Sequence, residues 1–254
     1  MSAPPVLLLL GAGPKLGTKI PEIFLKEGYK IALVARSFEE GYQDNGYYHV
    51  RADLSNPECI LEVFEKVRQN VGIPTVVVYN AVQYKLDDPE DPFASLAPES
   101  VPQFHTAVAV NGTTPLIALH HAIASFRALP PGTPGKTFIF TGNILNHSQF
   151  KNRLCFGIAK TLCAYGIRFA TVAYAKEGFK FYYADERTPS GLPVMRDISG
   201  DAAGTEYLKL AEAPTQQPWL YTYTKDGEGY VDFGEKDYLK TVNSDEAQFL
   251  KGGR

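Results

Sequence analysis

The stretch Val6-Leu7-Leu8-Leu9-Leu10-Gly11-Ala12-Gly13-Pro14-Lys15-Leu16-Gly17-Thr18 decides the architecture of this chain. An unbroken apolar run is followed by a glycine-rich turn, and then by Leu16, Ile20, Ile23 and Phe24 at helical spacing. This pattern predicts a buried strand, a tight loop and a helix start. Glycines at 11, 13 and 17 let the backbone approach a phosphate closely, and the free N–H groups of a helix N-terminus offer it a partial positive charge. Gly11, Gly13, Lys15, Leu16 and Gly17 are therefore the first candidate binding residues.

At 254 residues and 44% hydrophobic content the chain can bury one sizeable core. No linker rich in Pro, Gly or Ser divides it, so a single domain spanning 1–254 is expected. Lys and Arg number 25 against 28 Asp and Glu, and the net charge of -3 gives no electrostatic footprint for nucleic acid or an anionic membrane. A small-molecule partner is left. The apolar run ending at Leu10 is too short for a signal peptide or a spanning helix. Cys59, Cys155 and Cys163 form an odd set without metal-ligand spacing, which predicts reduced thiols, no metal and a cytoplasmic location.

A helix pattern over 18–27 ends at Gly28, and Tyr29-Lys30-Ile31-Ala32-Leu33-Val34-Ala35 predicts a second strand. In a dinucleotide-binding fold the residue at its end, about 20 positions past the glycines, meets the adenosine ribose: an acid suits a free 2′-hydroxyl, an arginine a 2′-phosphate. Here Arg36-Ser37 stands at that end. A guanidinium grips a phosphate bidentately, so NADP(H) is favoured over NAD(H), with Lys15 as a second cation. The competing reading is a solvated arginine at a strand end, with Glu39 and Glu40 close by. A third strand over 47–52 closes on Asp53-Leu54, where the carboxylate can accept from the adenine amino group while the leucine packs on the ring, or where Asp53 simply caps a helix. The helix pattern over 58–71 puts Ile60, Leu61, Phe64 and Val67 on one face, and a fourth strand over 75–79 runs into Asn80-Ala81. Uniformly apolar strands alternating with helices predict a doubly wound, Rossmann-like α/β domain with helices on both faces and its loops gathered at one edge.

Six elements occur in order: the glycine turn, Arg36, Asp53-Leu54, Asn80-Ala81, Asn111 within a long helix pattern over 101–129, and Lys160. Together they resemble the short-chain dehydrogenase/reductase superfamily over about the first 185 residues. The resemblance implies a seven-stranded, mostly parallel sheet and an NADP(H)-dependent oxidoreductase acting on a small carbonyl, alcohol or related molecule. It implies that Asn80 and Ala81 line the cofactor, that Asn111 holds a water in a proton relay, and that Lys160 orders the nicotinamide ribose. The 12% aromatic content suits an apolar or aromatic substrate, and equally an ordinary core.

The departures from the family pattern are as informative. Lys15 stands where the family has its second glycine. Phe156-Gly157-Ile158-Ala159-Lys160 keeps the lysine of the family's Tyr-x-x-x-Lys pair and loses the tyrosine, the family's proton donor. At about 100° per residue, positions 156 and 160 share one helix face. Phe138-Ile139-Phe140 reads as the fifth strand, and where the family ends it in a serine the register leaves Thr141, Gly142 or Asn143; both Thr141 and Asn143 carry a donor for a substrate oxygen. His147, in the loop before this helix, is the substitute acid best placed by sequence, against the competing reading of an ordinary exposed loop histidine. Tyr84, Tyr182 and Tyr183 are further candidates that the sequence leaves unranked, whereas Tyr165 should face away and Cys163 should be buried. A rival reading is a cofactor-binding protein without hydride transfer, either a pseudoenzyme or sensor, or an enzyme using NADP structurally for an isomerisation or cyclisation.

Asp87, Asp88, Glu90 and Asp91 lie among prolines and predict a solvated loop rather than a cation site. The long helix pattern breaks at Gly112 and Pro115, with Asn111 at the break. After a sixth strand over 179–184 the family has a Pro-Gly turn over the nicotinamide; this chain has Asp185-Glu186-Arg187-Thr188-Pro189, so the carboxamide should be held differently. A lid and substrate segment over about 185–215 with a helix over 202–213, a seventh strand over 219–224 and a poorly ordered tail over 238–254 complete the chain. The helices over 101–129 and 152–176 resemble those that pair family members, which implies a homodimer or homotetramer.

Overall fold

A strand of nothing but valine and leucine is stable only where both of its faces are covered, and β1 (Val6–Leu10) is buried along its whole length. It pairs in parallel with β2 (Lys30–Ala35) on one side and β5 (Val76–Tyr79) on the other. The remaining strands are β3 (Gly41–Tyr42), β4 (Tyr48–Arg51), β6 (Thr137–Thr141), β7 (Lys180–Arg187) and β8 (Leu220–Thr224), in the order β3-β4-β2-β1-β5-β6-β7-β8. This computed structural model describes residues 3–227 and 229–234, and the tail expected over 238–254 lies outside the described residues.

Successive side chains of these strands alternate between two cores. On one face Leu8, Val77, Phe138 and Phe181 pack against α2 (Cys59–Asn70), α4 (Thr114–Ala128) and α5 (Leu154–Ala173). On the other, Leu7, Leu9, Val78 and Tyr182 pack against α1 (Leu16–Lys26) and α6 (Gly200–Glu212). The strand order reverses between β1 and β5, and the crevice outside such a reversal is where open α/β sheets bind ligands.

The long helix pattern is two helices, α3 (Val101–Val108) and α4, joined by a single π-helical turn over Ala109–Thr113. A π turn misaligns backbone carbonyls, and the Tyr79 hydroxyl takes up one of them by donating to the Val110 carbonyl at 2.7 Å. Gly112 lets the turn seat on α5: a Cβ there would lie 2.9 Å from Leu162 Cδ2 and 3.3 Å from the Ala159 carbonyl oxygen.

Three expectations need correction. The sheet has eight strands, because the two-residue edge strand β3 pairs antiparallel with β4 and is too short to leave an alternation in sequence. Strand β7 runs three residues further than the apolar pattern, through Asp185, Glu186 and Arg187, all buried. It can do so because Asp185 and Arg187 neutralise each other at 2.6 Å and β8 supplies a full ladder beside them. Within the acidic loop, Asp87 is buried rather than solvated: its Oδ2 accepts from the Cys155 N–H at 3.1 Å, tying the loop to the first turn of α5. No helix among the described residues is long and apolar enough to cross a membrane.

Candidate active site

The glycine turn is pinned from both sides by the strands that flank β1. The Gly11 and Ala12 N–H groups donate to the Val34 carbonyl at 3.0 and 2.9 Å, and the Asn80 side-chain amide donates to the Gly11 carbonyl at 2.8 Å. Gly11 has φ of +93°, and a Cβ on it would lie 2.4 Å from the Ala81 backbone nitrogen. Asn80 and Ala81 thus set the shape of the loop. Gly17 is equally constrained, a Cβ there falling 2.5 Å from the Ala12 carbonyl carbon. At Gly13, by contrast, a Cβ would meet nothing within 4 Å. The tip of the turn is open at Gly13 and leads into the first turn of α1, whose Leu16 and Gly17 N–H groups have no acceptor in their own helix. A diphosphate fits this donor set, and it is the observation on which a dinucleotide cofactor stands.

The predicted adenosine end is exposed. Arg36 and Ser37 sit at the end of β2, and Asp53 stands close enough to Arg36 for the two charges to interact. The Ser55 N–H donates to Asp53 Oδ1 at 3.0 Å and, with Arg36, holds that carboxyl below its ordinary value. Leu54 is buried, its carbonyl accepting from the Thr114 hydroxyl at 2.9 Å. Lys15 turns away from Arg36, its ammonium donating to the Arg196 carbonyl and fastening the segment before α6 over the glycine turn.

At the other end Lys160 is 3% exposed. Its Nζ donates to the Thr141 carbonyl at 3.0 Å and lies 4.2 Å from the Phe140 ring centroid and 5.3 Å from that of Phe156. Burial pushes this ammonium down to about 8. Phe156 is buried beside it on the same helix face, as the four-residue spacing predicts. Thr141 accepts from the Tyr207 hydroxyl at 3.0 Å. Gly142 leaves room for Tyr183, whose ring carbon a Cβ would meet at 2.0 Å. Asn143 Oδ1 accepts from the Leu145 N–H, which leaves its Nδ2 as the donor that no described residue uses.

Asn111 is fully buried, and every polar atom of its side chain is engaged. Its amide donates to the Gln83 and Ala107 carbonyls, both at 2.9 Å, and its Oδ1 accepts from the Gln83 N–H at 3.2 Å. It clamps the backbone immediately before Tyr84. His147 is exposed, with Nδ1 2.9 Å from Asn146 Oδ1.

The structure ranks the three tyrosines. Tyr183 donates to the Asn143 carbonyl at 2.8 Å and accepts from its N–H, and Tyr182 accepts from the Gln217 N–H at 3.0 Å, so both are structural. Tyr84 stands edge-on to Phe156, ring centroids 5.9 Å apart, and its hydroxyl makes no hydrogen bond to any described residue. The Arg153 guanidinium lies 4.9 Å from the Tyr84 ring centroid. Tyr165 points outward and Cys163 is buried, as expected. The Tyr84–Phe156 contact was beyond sequence reasoning, because it joins a loop to a helix 72 positions later in the chain only through the fold.

Beyond the end of β6 the buried acids Asp185 and Glu186 are held up by burial, to about 6 and about 7. Both lie above their unfolded values, so the folded state carries extra protons between about 4 and 7, and the stability they contribute at low pH is lost as pH rises through 6 and 7. Denaturant titrations of the ligand-free protein should show stability falling over this window, and Asp185→Asn with Glu186→Gln should flatten the slope. An unchanged slope would remove both acids from the account. Among the described residues no group of three or more His, Cys, Asp or Glu side chains is placed to hold a metal ion.

No protein-family model matches the chain. A short chain dehydrogenase/reductase of Cryptosporiopsis sp. (strain 8999), dmxR12, is 39% identical over 240 residues, covering 90% of this chain and 95% of that protein. Among solved structures, a 3-oxoacyl-[acyl-carrier protein] reductase from Brucella melitensis superposes with a TM-score of 0.71 at 15% identity, covering 85% of this chain and 95% of that one. ElxO with NADP bound gives 0.70 at 15% identity, covering 87% and 98%. At these identities the two structures testify to the fold.

Proposed function

This chain belongs to the short-chain dehydrogenase/reductase family, and from that premise we propose that it is an NADP(H)-dependent reductase of a small carbonyl compound, with a proton donor other than the family's tyrosine. The reading rests on one arrangement above all: the glycine turn follows β1, and the buried Lys160 ammonium bonds the Thr141 carbonyl at the end of β6, so both stand at the same edge of one parallel sheet, where a doubly wound fold takes a dinucleotide. When bound, the cofactor supplies a hydride. Arg36 and Ser37 would hold the 2′-phosphate, Gly13 and the first turn of α1 the diphosphate, and the Lys160 ammonium, with N–H donors to spare beside the one bonded to the Thr141 carbonyl, would order the ribose.

Asn143 Nδ2 steadies the substrate oxygen, with the Thr141 hydroxyl as its neighbour. Tyr84 Oη delivers the proton to that oxygen, and being half exposed it recovers a proton from water. Arg153, beside its ring, stabilises the charge left behind. Asn111 acts through the backbone of Gln83 as a positioning residue for Tyr84. Stopped-flow absorbance of NADPH mixed with a panel of aldehydes, ketones and imines tests the reading. Oxidation with at least one carbonyl is expected; none, with NADPH bound, would favour the non-redox alternative that the buried Phe156 otherwise supports.

We also propose a homodimer or homotetramer built on α5. Ile158, Leu162, Tyr165, Phe169 and Val172 are exposed at helical spacing along one side of this helix, an apolar stripe that a second copy of the same stripe would cover. Light scattering should give a dimer or larger, and Phe169→Glu with Val172→Glu should give a monomer. A wild-type monomer at micromolar concentration would contradict this.

A further inference from the structure

A dinucleotide laid across a doubly wound sheet puts one nucleotide over each half. With Arg36 and Asp53 at the ends of β2 and β4 taking the adenosine, the nicotinamide half falls over the ends of β5, β6 and β7. At the end of β7 stands Glu186, 3% exposed. Its Oε2 accepts from the Ser199 N–H at 2.8 Å, whereas its Oε1 is buried without a hydrogen-bond partner among the described residues.

Ser199 is the N-cap of α6, its hydroxyl accepting from the Ala202 N–H at 3.2 Å. This end of α6 abuts the glycine turn: a Cβ on Gly200 would lie 2.8 Å from Lys19 Cβ and 3.1 Å from the Lys15 carbonyl oxygen. Glu186 therefore joins the end of β7 to the loop that faces the diphosphate. A buried carboxyl oxygen left unpaired is costly, and the position is explained if a ligand brings the missing donor. The nicotinamide half of the cofactor carries one neutral group with N–H donors and no charge to repel, its primary carboxamide.

We propose that Glu186 Oε1 accepts a hydrogen bond from the carboxamide N–H of the nicotinamide, so that a side chain of β7 orients the ring. The inference rests on the reading that NADP(H) is the cofactor. It is tested by calorimetric binding, without turnover, of NADP⁺ and of its 3-acetylpyridine analogue, in which a methyl ketone replaces the amide and keeps the carbonyl but loses both N–H donors. Wild type should bind NADP⁺ about tenfold more tightly than the analogue. Glu186→Gln, which retains an acceptor oxygen, should keep that preference, and Glu186→Leu should abolish it. Adenosine 2′,5′-bisphosphate, which has no nicotinamide, should bind all three alike.

Equal binding of the two dinucleotides by wild type, or a preference that survives Glu186→Leu, would overturn the inference while leaving the cofactor assignment standing. Failure of wild type to bind any of the three ligands would overturn both. Should the leucine variant not fold, loss of the preference in Glu186→Asn, whose shorter side chain withdraws the acceptor, decides the matter in its place.

Discussion

Replacing Tyr84 by phenylalanine should lower the single-turnover rate of the proposed NADPH-dependent carbonyl reduction by about 10²-fold or more and leave NADPH affinity unchanged. Phe156 occupies the helix position beside Lys160 and has no proton to give. The hydroxyls of Tyr182 and Tyr183 are committed to backbone groups of Gln217 and Asn143, and His147 sits exposed in the loop. Tyr84 is left, 51% exposed, with its ring edge-on to Phe156 and a guanidinium beside it. The companion variant sharpens the result. Adding Phe156→Tyr to Tyr84→Phe returns a phenol to the same neighbourhood and should raise the rate far more than Phe156→Tyr raises it in wild type, whereas a merely structural role for Tyr84 predicts the same gain in both backgrounds. An unaltered rate in Tyr84→Phe would make this side chain a wall of the pocket.

Lys160→Met should move stability and cofactor affinity in opposite directions. In the ligand-free protein the ammonium is buried with a single hydrogen bond to Thr141, and replacing a desolvated charge by an apolar side chain of similar length is commonly neutral or stabilising. The melting temperature of the variant should equal or exceed that of wild type. NADPH binding should weaken about tenfold or more, because a charge-assisted hydrogen bond to the ribose is lost. The pH dependence gives a second readout. Lys160 falls to about 8 in the folded protein from 10.5, so the unfolded chain holds the extra proton between these values, and its burial penalty is relieved as pH rises through them. Wild type should gain stability relative to the variant across that window. A variant that melts well below wild type yet binds NADPH normally would make Lys160 a structural residue.

Much of the fold was legible because parallel strands covered on both faces advertise themselves as apolar runs. Strands β1, β2, β5 and β6 could hardly be anything else. What stayed hidden depends on contacts between distant parts of the chain. The charges of Asp185 and Arg187 read as the start of a loop, and only their pairing and the neighbouring β8 explain why β7 continues through them. Asp87 reads in sequence as one of several solvated acids, and only its bond to the first turn of α5 sets it apart. Lys15 and Arg36 looked like two hands on one phosphate, yet the Lys15 ammonium reaches the Arg196 carbonyl instead. Around Lys160, the four-residue spacing alone puts Phe156 on the lysine's face, while the phenol beside it is hidden, since nothing in the residues around Tyr84 announces a neighbour in α5.

The central claim is that the glycine turn and Lys160 hold one nicotinamide dinucleotide between them, with Arg36 selecting the phosphorylated form. Calorimetric titration of the purified protein with NADPH and with NADH tests it most directly. One site per chain is expected, with tighter binding of NADPH than of NADH and collapse of that difference in Arg36→Ala. Absence of binding by either dinucleotide would contradict it, however closely the sheet and its helices follow the family.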